Sequence, residues 1–310
     1  MDFPEYAWQI KGRLPGPTTV VMGGTHGDEL AGVRMVQSLL KSTGLLHLPW
    51  GSLISCDWVK GSLYLVLGNP EAILRNTRSV SGVRDLNRWF IKEDLAKAGQ
   101  DSIDRRRARE LAPLLAKTDL LIDLHATSNP STPFLCASEA SRVHRELAPL
   151  FLVENFLTDP RNILGQDMNL SATGTTDYCV NSHGGTGICY ESGKFDDLTG
   201  LSDMERTVVR VLERFGSIFP HAPFLRDETP FEEREVSFYA LTTSVSASED
   251  RFTYEEGMDR SWQQVKKDRL VGRFPSGEEM RVPTDGMYVF PRRAELVKKD
   301  LNLFYLAGKL

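Results

Sequence analysis

The first two thirds of the chain alternate short apolar runs with longer amphipathic runs of helical period. The apolar runs predict strands at Val20–Met22, Leu63–Leu67, Leu120–Asp123 and Gly187–Glu191. The amphipathic runs predict helices at Leu30–Leu40, Asp104–Leu115, Glu139–Leu147 and Ser202–Phe215. Strands that alternate with helices are typical of an α/β fold in which helices cover both faces of a sheet.

Two of these helices carry sequence signals for their first turn. Ser138 precedes the third helix and is a candidate N-cap residue. Ser202 and Glu205 are three residues apart at the start of the fourth helix, a spacing that fits a capping box.

The pattern changes near Gly216, where Pro220, Pro223 and Pro230 indicate a connector. Short β-like runs separated by turn residues follow, at Val236–Leu241, Leu270–Phe274, Met287–Phe290 and Leu303–Leu306. We therefore expect a first domain over residues 1–220 and a smaller, mainly β domain over residues 221–310.

Composition narrows the class of protein. The 310 residues are 41% hydrophobic and 25% charged, which is ordinary for a globular chain. The net charge of −5 argues against a nucleic-acid partner, and the short Arg105–Arg107 run fits the solvated face of a helix. The four cysteines lack a CxxC spacing and suit reduced thiols. Without an 18-residue apolar stretch or a signal-peptide core, we expect a cytoplasmic protein with no membrane partner.

A glycine-rich turn lies between the first predicted strand and the first predicted helix, with the sequence Gly23-Gly24-Thr25-His26-Gly27-Asp28-Glu29. A histidine and a glutamate three residues apart in such a turn can converge on one divalent metal ion. His125 ends the third predicted strand and is a candidate third ligand. Two nitrogens and one carboxylate would leave a tetrahedral Zn²⁺ ion with one position open for water, as in hydrolytic sites.

Other polar residues also follow predicted strands. Asn69 and Pro70 come after the second strand, Arg78 and the run Asp85-Leu86-Asn87-Arg88 follow them, and Glu191 ends the fourth strand. Open α/β sheets bind ligands at the carboxyl ends of their strands. These residues are therefore candidates for the same site as the metal ligands.

Each candidate has a plainer interpretation when it is taken alone. A single His-x-x-Glu spacing is more often chance than a metal site, and His125 could be a hydrogen-bonded histidine at a strand end. Asn87 and Arg88 could cap and pair on the surface, and Glu191 could face solvent. Their joint occurrence, in order along the chain, favours one site that combines a metal set, a base and anion binders.

Taken together, the motifs resemble those of the succinylglutamate desuccinylase/aspartoacylase family, a branch of the zinc-carboxypeptidase fold. The resemblance covers roughly residues 18 to 215 and rests on these segments: His26-Gly27-Asp28-Glu29, Gly68-Asn69-Pro70, Arg78, Asp85-Leu86-Asn87-Arg88, Asp123-Leu124-His125 and Glu191-Ser192-Gly193-Lys194. It implies a mixed sheet with helices on both faces and one Zn²⁺ ion per chain.

The resemblance also implies a role for each matching residue. The zinc ligands fall on His26, Glu29 and His125, and the general base falls on Glu191. Arg78 would lie beside the scissile carbonyl and stabilise its developing negative charge. The residues that would bind a substrate carboxylate are Asn87 and Arg88. Asp85 and Asp123 are expected to orient their neighbours.

The chain departs from the family in two places. Aspartoacylases carry an arginine for the second substrate carboxylate ten residues before the glutamate, where this chain has Asn181. Lys194 is the candidate replacement, although a lysine binds as a point charge from a different position. The C-terminal region aligns poorly with the family, and we expect Tyr288 to pack in the core or at a turn there.

The leading hypothesis is a zinc-dependent amidohydrolase that removes an acyl group, acetyl or succinyl, from the nitrogen of an amino acid. Its substrate would be a small anionic N-acyl amino acid. A zinc carboxypeptidase acting on short peptides is the alternative enzyme, and a non-catalytic binding module is the alternative outside enzymes. The sequence leaves open whether the chain forms a homo-oligomer.

Overall fold

The computed structural model describes residues 4–82, 84–97, 99, 102–224 and 233–310. Pro230, one of the predicted connector prolines, lies outside these ranges. Within them, the chain forms thirteen strands: β1 Ala7–Gly23, β2 Leu53–Leu67, β3 Leu120–Thr127, β4 Phe134–Ala137, β5 Asn155–Thr158, β6 Thr186–Lys194, β7 Ser237–Ser246, β8 Thr253–Tyr254, β9 Gln263–Val265, β10 Leu270–Arg273, β11 Glu279–Arg281, β12 Gly286–Val289 and β13 Asn302–Lys309.

Ten of these strands form one mixed sheet in the order β2-β1-β3-β6-β4-β5-β7-β13-β12-β9. Its first part is parallel, since β1 pairs in parallel with β3 and β3 pairs in parallel with β6. The pairs β6–β4, β7–β13, β13–β12 and β12–β9 are antiparallel. The α/β fold with a mixed sheet is therefore confirmed.

Eight α-helices are described: α1 Leu30–Ser42, α2 Pro70–Arg75, α3 Lys92–Ala96, α4 Ile103–Leu115, α5 Arg142–Leu147, α6 Ile163–Gln166, α7 Thr176–Ser182 and α8 Leu201–Arg214. Helices cover both faces of the sheet. Successive side chains of a strand point to opposite faces, so neighbouring residues of β1 pack against different helices. Val21 of β1 belongs to the core beneath α1 and α8, whereas Val20 and Met22 belong to the core beneath α4 and α7. None of these helices is long and apolar enough to span a lipid bilayer.

Two predicted helix starts were wrong. The third predicted helix begins at Arg142 with Ser141 as its N-cap, three residues later than the sequence suggested. The fourth has Gly200 at its N-cap position and no side-chain cap, so Ser202 and Glu205 form no capping box there. Glu205 is instead buried and accepts a hydrogen bond from Ser38 Oγ of α1 at 2.9 Å. A tertiary contact thus replaces the local one.

The C-terminal region is β-rich, as expected. Strand β7 pairs in parallel with β5, so four C-terminal strands extend the main sheet, while β8, β10 and β11 form a separate three-stranded sheet. Tyr288 is fully buried in the local apolar core, and its hydroxyl donates to the Met258 carbonyl at 2.9 Å. The boundary at residue 220 stays a prediction.

Candidate active site

The candidate residues meet because three neighbouring parallel strands end at the same edge of the sheet. Gly23, the last residue of β1, lies opposite Leu124 of β3, and His125 lies opposite Glu191 of β6. The turn with His26 and Glu29 follows β1 directly. Parallel pairing therefore brings together residues that are up to 165 positions apart in the chain.

The turn after β1 needs its glycines. Gly24 has a φ of 72°, in the left-handed region that side chains rarely adopt. A Cβ atom on Gly27 would lie 2.0 Å from the carbonyl carbon of Ala72. The turn can therefore pack directly against α2, and this packing sets where His26 and Glu29 lie.

His26, Glu29 and His125 form a buried cluster. His26 Nδ1 lies 2.7 Å from Glu29 Oε1, His125 Nδ1 lies 3.0 Å from Glu29 Oε2, and the two Nδ1 atoms are 3.3 Å apart. One donor atom from each residue falls within 4.8 Å of the others. Two imidazole nitrogens and a carboxylate that converge in this way fit a divalent metal ion.

The electrostatics of the cluster also suit a cation. Burial lowers the pKa of His125, but Asp123 and Glu29 outweigh it and hold that pKa well above its usual range. Burial likewise raises the pKa of Glu29, yet the two histidines keep it below its ordinary value. Positive charge is therefore favoured between these side chains.

A buried carboxylate lies behind the ring of His125. The Nε2 atom of this histidine lies 2.9 Å from Asp123 Oδ2, on the side of the ring away from Glu29. Asp123 is fully buried and accepts hydrogen bonds from Thr25 Oγ1 at 2.8 Å and Thr176 Oγ1 at 2.6 Å. A carboxylate behind a metal-binding histidine commonly holds the ring in place.

Asp85 and Arg78 lie beside the other histidine. Asp85 Oδ1 is 3.5 Å from His26 Nε2, and its Oδ2 accepts from Arg78 Nε at 3.3 Å. Arg78 Nη1 also donates to Glu29 Oε1 at 3.4 Å. The guanidinium group of Arg78 therefore lies next to the cluster of His26, Glu29 and His125, and it lines the same cavity.

Glu191 is buried in the same cavity as the cluster. Its Oε2 atom has no hydrogen-bond partner among the described residues. Burial raises the pKa of Glu191 to about 7, against the opposing effect of His125. A carboxyl group with this pKa can both take up and release a proton near neutral pH.

Asn87 and Arg88 lie on a short 3₁₀ turn, Leu86–Arg88, at the cavity wall. Asn87 Oδ1 accepts from the backbone N–H of Thr176 at 2.8 Å, which uses its acceptor and leaves the amide NH₂ for a ligand. Arg88 Nη1 donates to the carbonyl oxygen of Asn87 at 2.6 Å. Both side chains are therefore held at the cavity by the surrounding backbone.

Two sequence candidates lie apart from this group. Lys194 Nζ pairs with Asp196 at 2.9 Å on the surface, and Lys194 does not line the cavity. Both ends of the Asn181 amide are used within the protein: it donates to Ser138 Oγ at 2.9 Å and accepts from the backbone N–H of Gly187 at 2.7 Å. Neither side chain is brought to the metal-binding cluster.

Asp104 is a supporting residue that the sequence analysis did not single out. Its carboxylate accepts from Asn69 Nδ2 at 2.7 Å, and from the backbone N–H and hydroxyl of Ser81 at 2.9 Å and 2.7 Å. It therefore ties the start of α2 to the loop that carries Arg78. An acidic residue in the first turn of a helix is common, so the pattern contained no signal for this role.

The cavity has a volume of about 610 Å³ and is lined by both parts of the chain. The first part contributes the metal-binding cluster, Arg78, Asn87, Arg88 and Glu191. The C-terminal part contributes another set of side chains, which includes Leu241, Phe290, Arg292, Leu296, Leu301 and Tyr305. The sequence analysis carried no site residue over to this second part.

The structure is a mixed α/β fold with a buried His-Glu-His cluster at the ends of its parallel strands. The family model for the succinylglutamate desuccinylase/aspartoacylase catalytic domain matches residues 15–214. The chain therefore belongs to the succinylglutamate desuccinylase/aspartoacylase family.

Individual relatives differ in how much of the chain they match. An N-acyl-aromatic-L-amino acid amidohydrolase (carboxylate-forming) of Xenopus tropicalis is 37% identical over 123 residues, which are 37% of this chain and 36% of that protein. In that match the chain spans about a third of its relative's length. A probable aspartoacylase of Prochlorococcus marinus (strain NATL2A) is 23% identical over 302 residues, covering 94% of this chain and 92% of the relative.

The crystal structure of murine aminoacylase 3 has the same fold. It aligns with a TM-score of 0.70 at 20% sequence identity and covers 96% of this chain and 97% of the murine chain. The likeness therefore extends through the C-terminal region, where the sequence alone aligned poorly.

Proposed function

We propose that this protein is a zinc-dependent amidohydrolase that removes an acyl group, acetyl or succinyl, from the nitrogen of an amino acid. The observation that carries the proposal is the buried cluster of His26, Glu29 and His125 with Glu191 in the same cavity. A metal set and a proton acceptor in one cavity are the groups that metal-assisted amide hydrolysis uses.

His26, Glu29 and His125 would hold one Zn²⁺ ion per chain. When bound, the ion would polarise the amide carbonyl and make a neighbouring water molecule more acidic. Glu191 accepts the proton of the attacking water and passes it to the leaving amine, a double role that a pKa near 7 favours. The products are a free amino acid and a small carboxylic acid.

The arginines and Asn87 have binding roles. Arg78, next to Glu29, stabilises the negative charge that develops on the amide oxygen. Arg88 and the amide group of Asn87 hold the carboxylate of the amino acid, and a guanidinium group suits a carboxylate because it can donate two parallel hydrogen bonds. Lys194 has no place in this assignment, because its ammonium group pairs with Asp196.

The names of the relatives support this reaction class. The proteins of Xenopus tropicalis and Prochlorococcus marinus are called an N-acyl-aromatic-L-amino acid amidohydrolase and a probable aspartoacylase. Both names describe removal of an acyl group from an amino acid, and they differ in the amino acid. The family relationship thus supports the reaction more strongly than the substrate.

A zinc carboxypeptidase acting on short peptides is the second candidate, and one observation favours it. Met168, Leu296 and Leu301 line the cavity although they are 40%, 52% and 45% exposed. This apolar rim could bind a group larger than acetyl or succinyl. A peptide extending towards solvent would use it.

The test is amine release from a panel of N-acetyl and N-succinyl amino acids and dipeptides, with and without a zinc chelator. We expect about one zinc per chain by metal analysis, and turnover of N-acyl amino acids that stops with the chelator and returns with Zn²⁺. Turnover of dipeptides alone would favour the carboxypeptidase. A fully active protein without metal would contradict both proposals.

A further inference from the structure

Four arginines line the cavity, and they fall into two kinds. Arg78 pairs with Glu29 and Asp85, and Arg293 pairs with Glu295. In the part of the chain that the structure describes, Arg88 and Arg292 have no carboxylate partner and donate only to backbone carbonyl groups. A half-buried guanidinium group without a counterion favours binding of an anion, since burial weakens the solvation of its charge.

Arg292 is firmly held. Its Nε donates to the carbonyl of Asn302 at 2.5 Å, and its backbone N–H donates to the carbonyl of Leu303 at 2.8 Å. The carbonyl of Arg292 accepts from the Tyr254 hydroxyl at 2.7 Å. These contacts fix the base of the side chain and leave its two terminal nitrogens to bind a ligand.

Asp159 and Asp167 line this side of the cavity, and both already accept hydrogen bonds from other groups. Asp167 Oδ2 accepts from the hydroxyl groups of Tyr305 at 2.6 Å and Ser244 at 3.0 Å. Asp159 accepts from the backbone N–H groups of Ile163 and Leu164 at the start of α6. Among the residues that the structure describes, Arg292 therefore has no carboxylate partner on this side.

The loop with Arg292 is tied to the loop that follows the metal-binding strand β3. Asn129 Nδ2 donates to the carbonyl of Pro291, the residue before Arg292, at 3.1 Å. Arg88, Arg292 and Tyr305 all line the cavity. Two guanidinium groups from distant parts of the chain thus serve one cavity.

We propose that Arg292 determines specificity by binding a second anionic group of the substrate. The inference rests on the proposed function. The substrate would then be an N-acyl amino acid with two carboxylates, the second carried by the amino-acid side chain or by the acyl group.

Matched substrate pairs test this assignment and separate the two sources. N-acetylaspartate and N-acetylasparagine differ in a side-chain carboxylate, and N-succinylalanine and N-butanoylalanine differ in an acyl carboxylate. Steady-state kinetics would be measured on the zinc-loaded wild type and on Arg292→Ala, Arg292→Lys and Arg293→Ala. Arg293 is the matched control, because it neighbours Arg292 but pairs with Glu295.

We expect Arg292→Ala to lower kcat/KM for the dianionic member of one pair by roughly 10- to 100-fold, mainly through KM, as for the loss of a charged hydrogen bond. The monoanionic member, which keeps only the α-carboxylate, should change little, Arg292→Lys should be intermediate, and Arg293→Ala should resemble the wild type. The pair that responds identifies which group carries the second carboxylate.

Equal losses for both members of each pair, or no loss, would overturn the role of Arg292 and leave the proposed function intact. Absence of turnover by the zinc-loaded wild type would instead count against the proposed function. In that case, calorimetric binding of the same pairs decides the inference. A preference for the dianion that disappears only in Arg292→Ala supports it, and a wild type without that preference refutes it.

Discussion

The two parts of the cavity wall are built in different ways. On the first side, His125 and Glu191 lie side by side on adjacent parallel strands, and both are buried. On the C-terminal side, Arg292 and Leu296 are partly exposed and lie on the segment between β12 and β13. Groups proposed for the chemistry thus come from rigid strand ends, whereas groups proposed for selectivity come from a loop.

Because the groups proposed for the chemistry lie at the strand ends, substitutions there should cause the largest loss of activity. Glu191→Gln should lower kcat by about 10²- to 10⁴-fold, the usual contribution of a positioned proton acceptor, while the protein keeps its zinc. Steady-state kinetics with metal analysis would check this. The exposed Glu146→Gln, whose partner Arg142 is on the surface, is the control and should retain wild-type kcat. Near-normal turnover would remove Glu191 as the base.

The stability of the metal-free protein should also respond to Glu191. Its pKa is about 7 in the folded state, above the value of 4.5 expected when unfolded. The protonated form therefore favours folding at low pH, and this stability is lost as the pH rises from about 4.5 through 7. The difference in free energy of unfolding between metal-free Glu191→Gln and the metal-free wild type should therefore shift in favour of the variant by up to ~3 kcal/mol between pH 5 and pH 8.5. Denaturant unfolding in the presence of a chelator measures it, and a pH-independent difference would contradict it.

A smaller effect should follow at the boundary between the two sides. Arg88→Ala should raise KM about 10- to 100-fold for substrates with a carboxylate and leave kcat largely unchanged, because the interaction is already made in the ground state. Arg88→Lys keeps the charge but loses the planar fork, so its KM should be intermediate. An unchanged KM in Arg88→Ala would mean that another group holds the carboxylate.

The smallest effect should come from the core of the C-terminal region. Tyr288→Phe removes the hydroxyl that donates to the Met258 carbonyl, and the free energy of unfolding should fall by about 1 kcal/mol. Denaturant unfolding measures the loss, and kcat/KM should stay at the wild-type level. A raised KM in this variant would show that Tyr288 contacts substrate after all.

Long periodic segments were predicted well from the sequence. The helix expected over Leu30–Leu40 runs from Leu30 to Ser42, and the strand expected over Leu120–Asp123 continues to Thr127. Hydrophobic periodicity survives in such segments because one face must be buried. The short strands β4 and β5 and the helix α7 were missed, since four to seven residues carry too little pattern.

The supporting residues of the site were harder to predict than the ligands. His26 and Glu29 are close in the chain and have a recognisable spacing, whereas Asp104 acts on Asn69 and Ser81 across separate segments. The sequence pattern did not point to Arg292 either, because the absence of a carboxylate partner among the described residues depends on which residues surround it in the folded chain.

The sequence by itself determined the α/β pattern, the strand ends and the residue types that a metal-dependent hydrolase needs. It did so because local spacing encodes turns, strands and ligand sets within a few residues of one another. Only the tertiary structure decided that Asn181 and Lys194 lie away from the cluster and that C-terminal residues complete the cavity. The physical reason is that the position of each of these side chains depends on its contacts with residues far away in the sequence. Only folding brings those residues together.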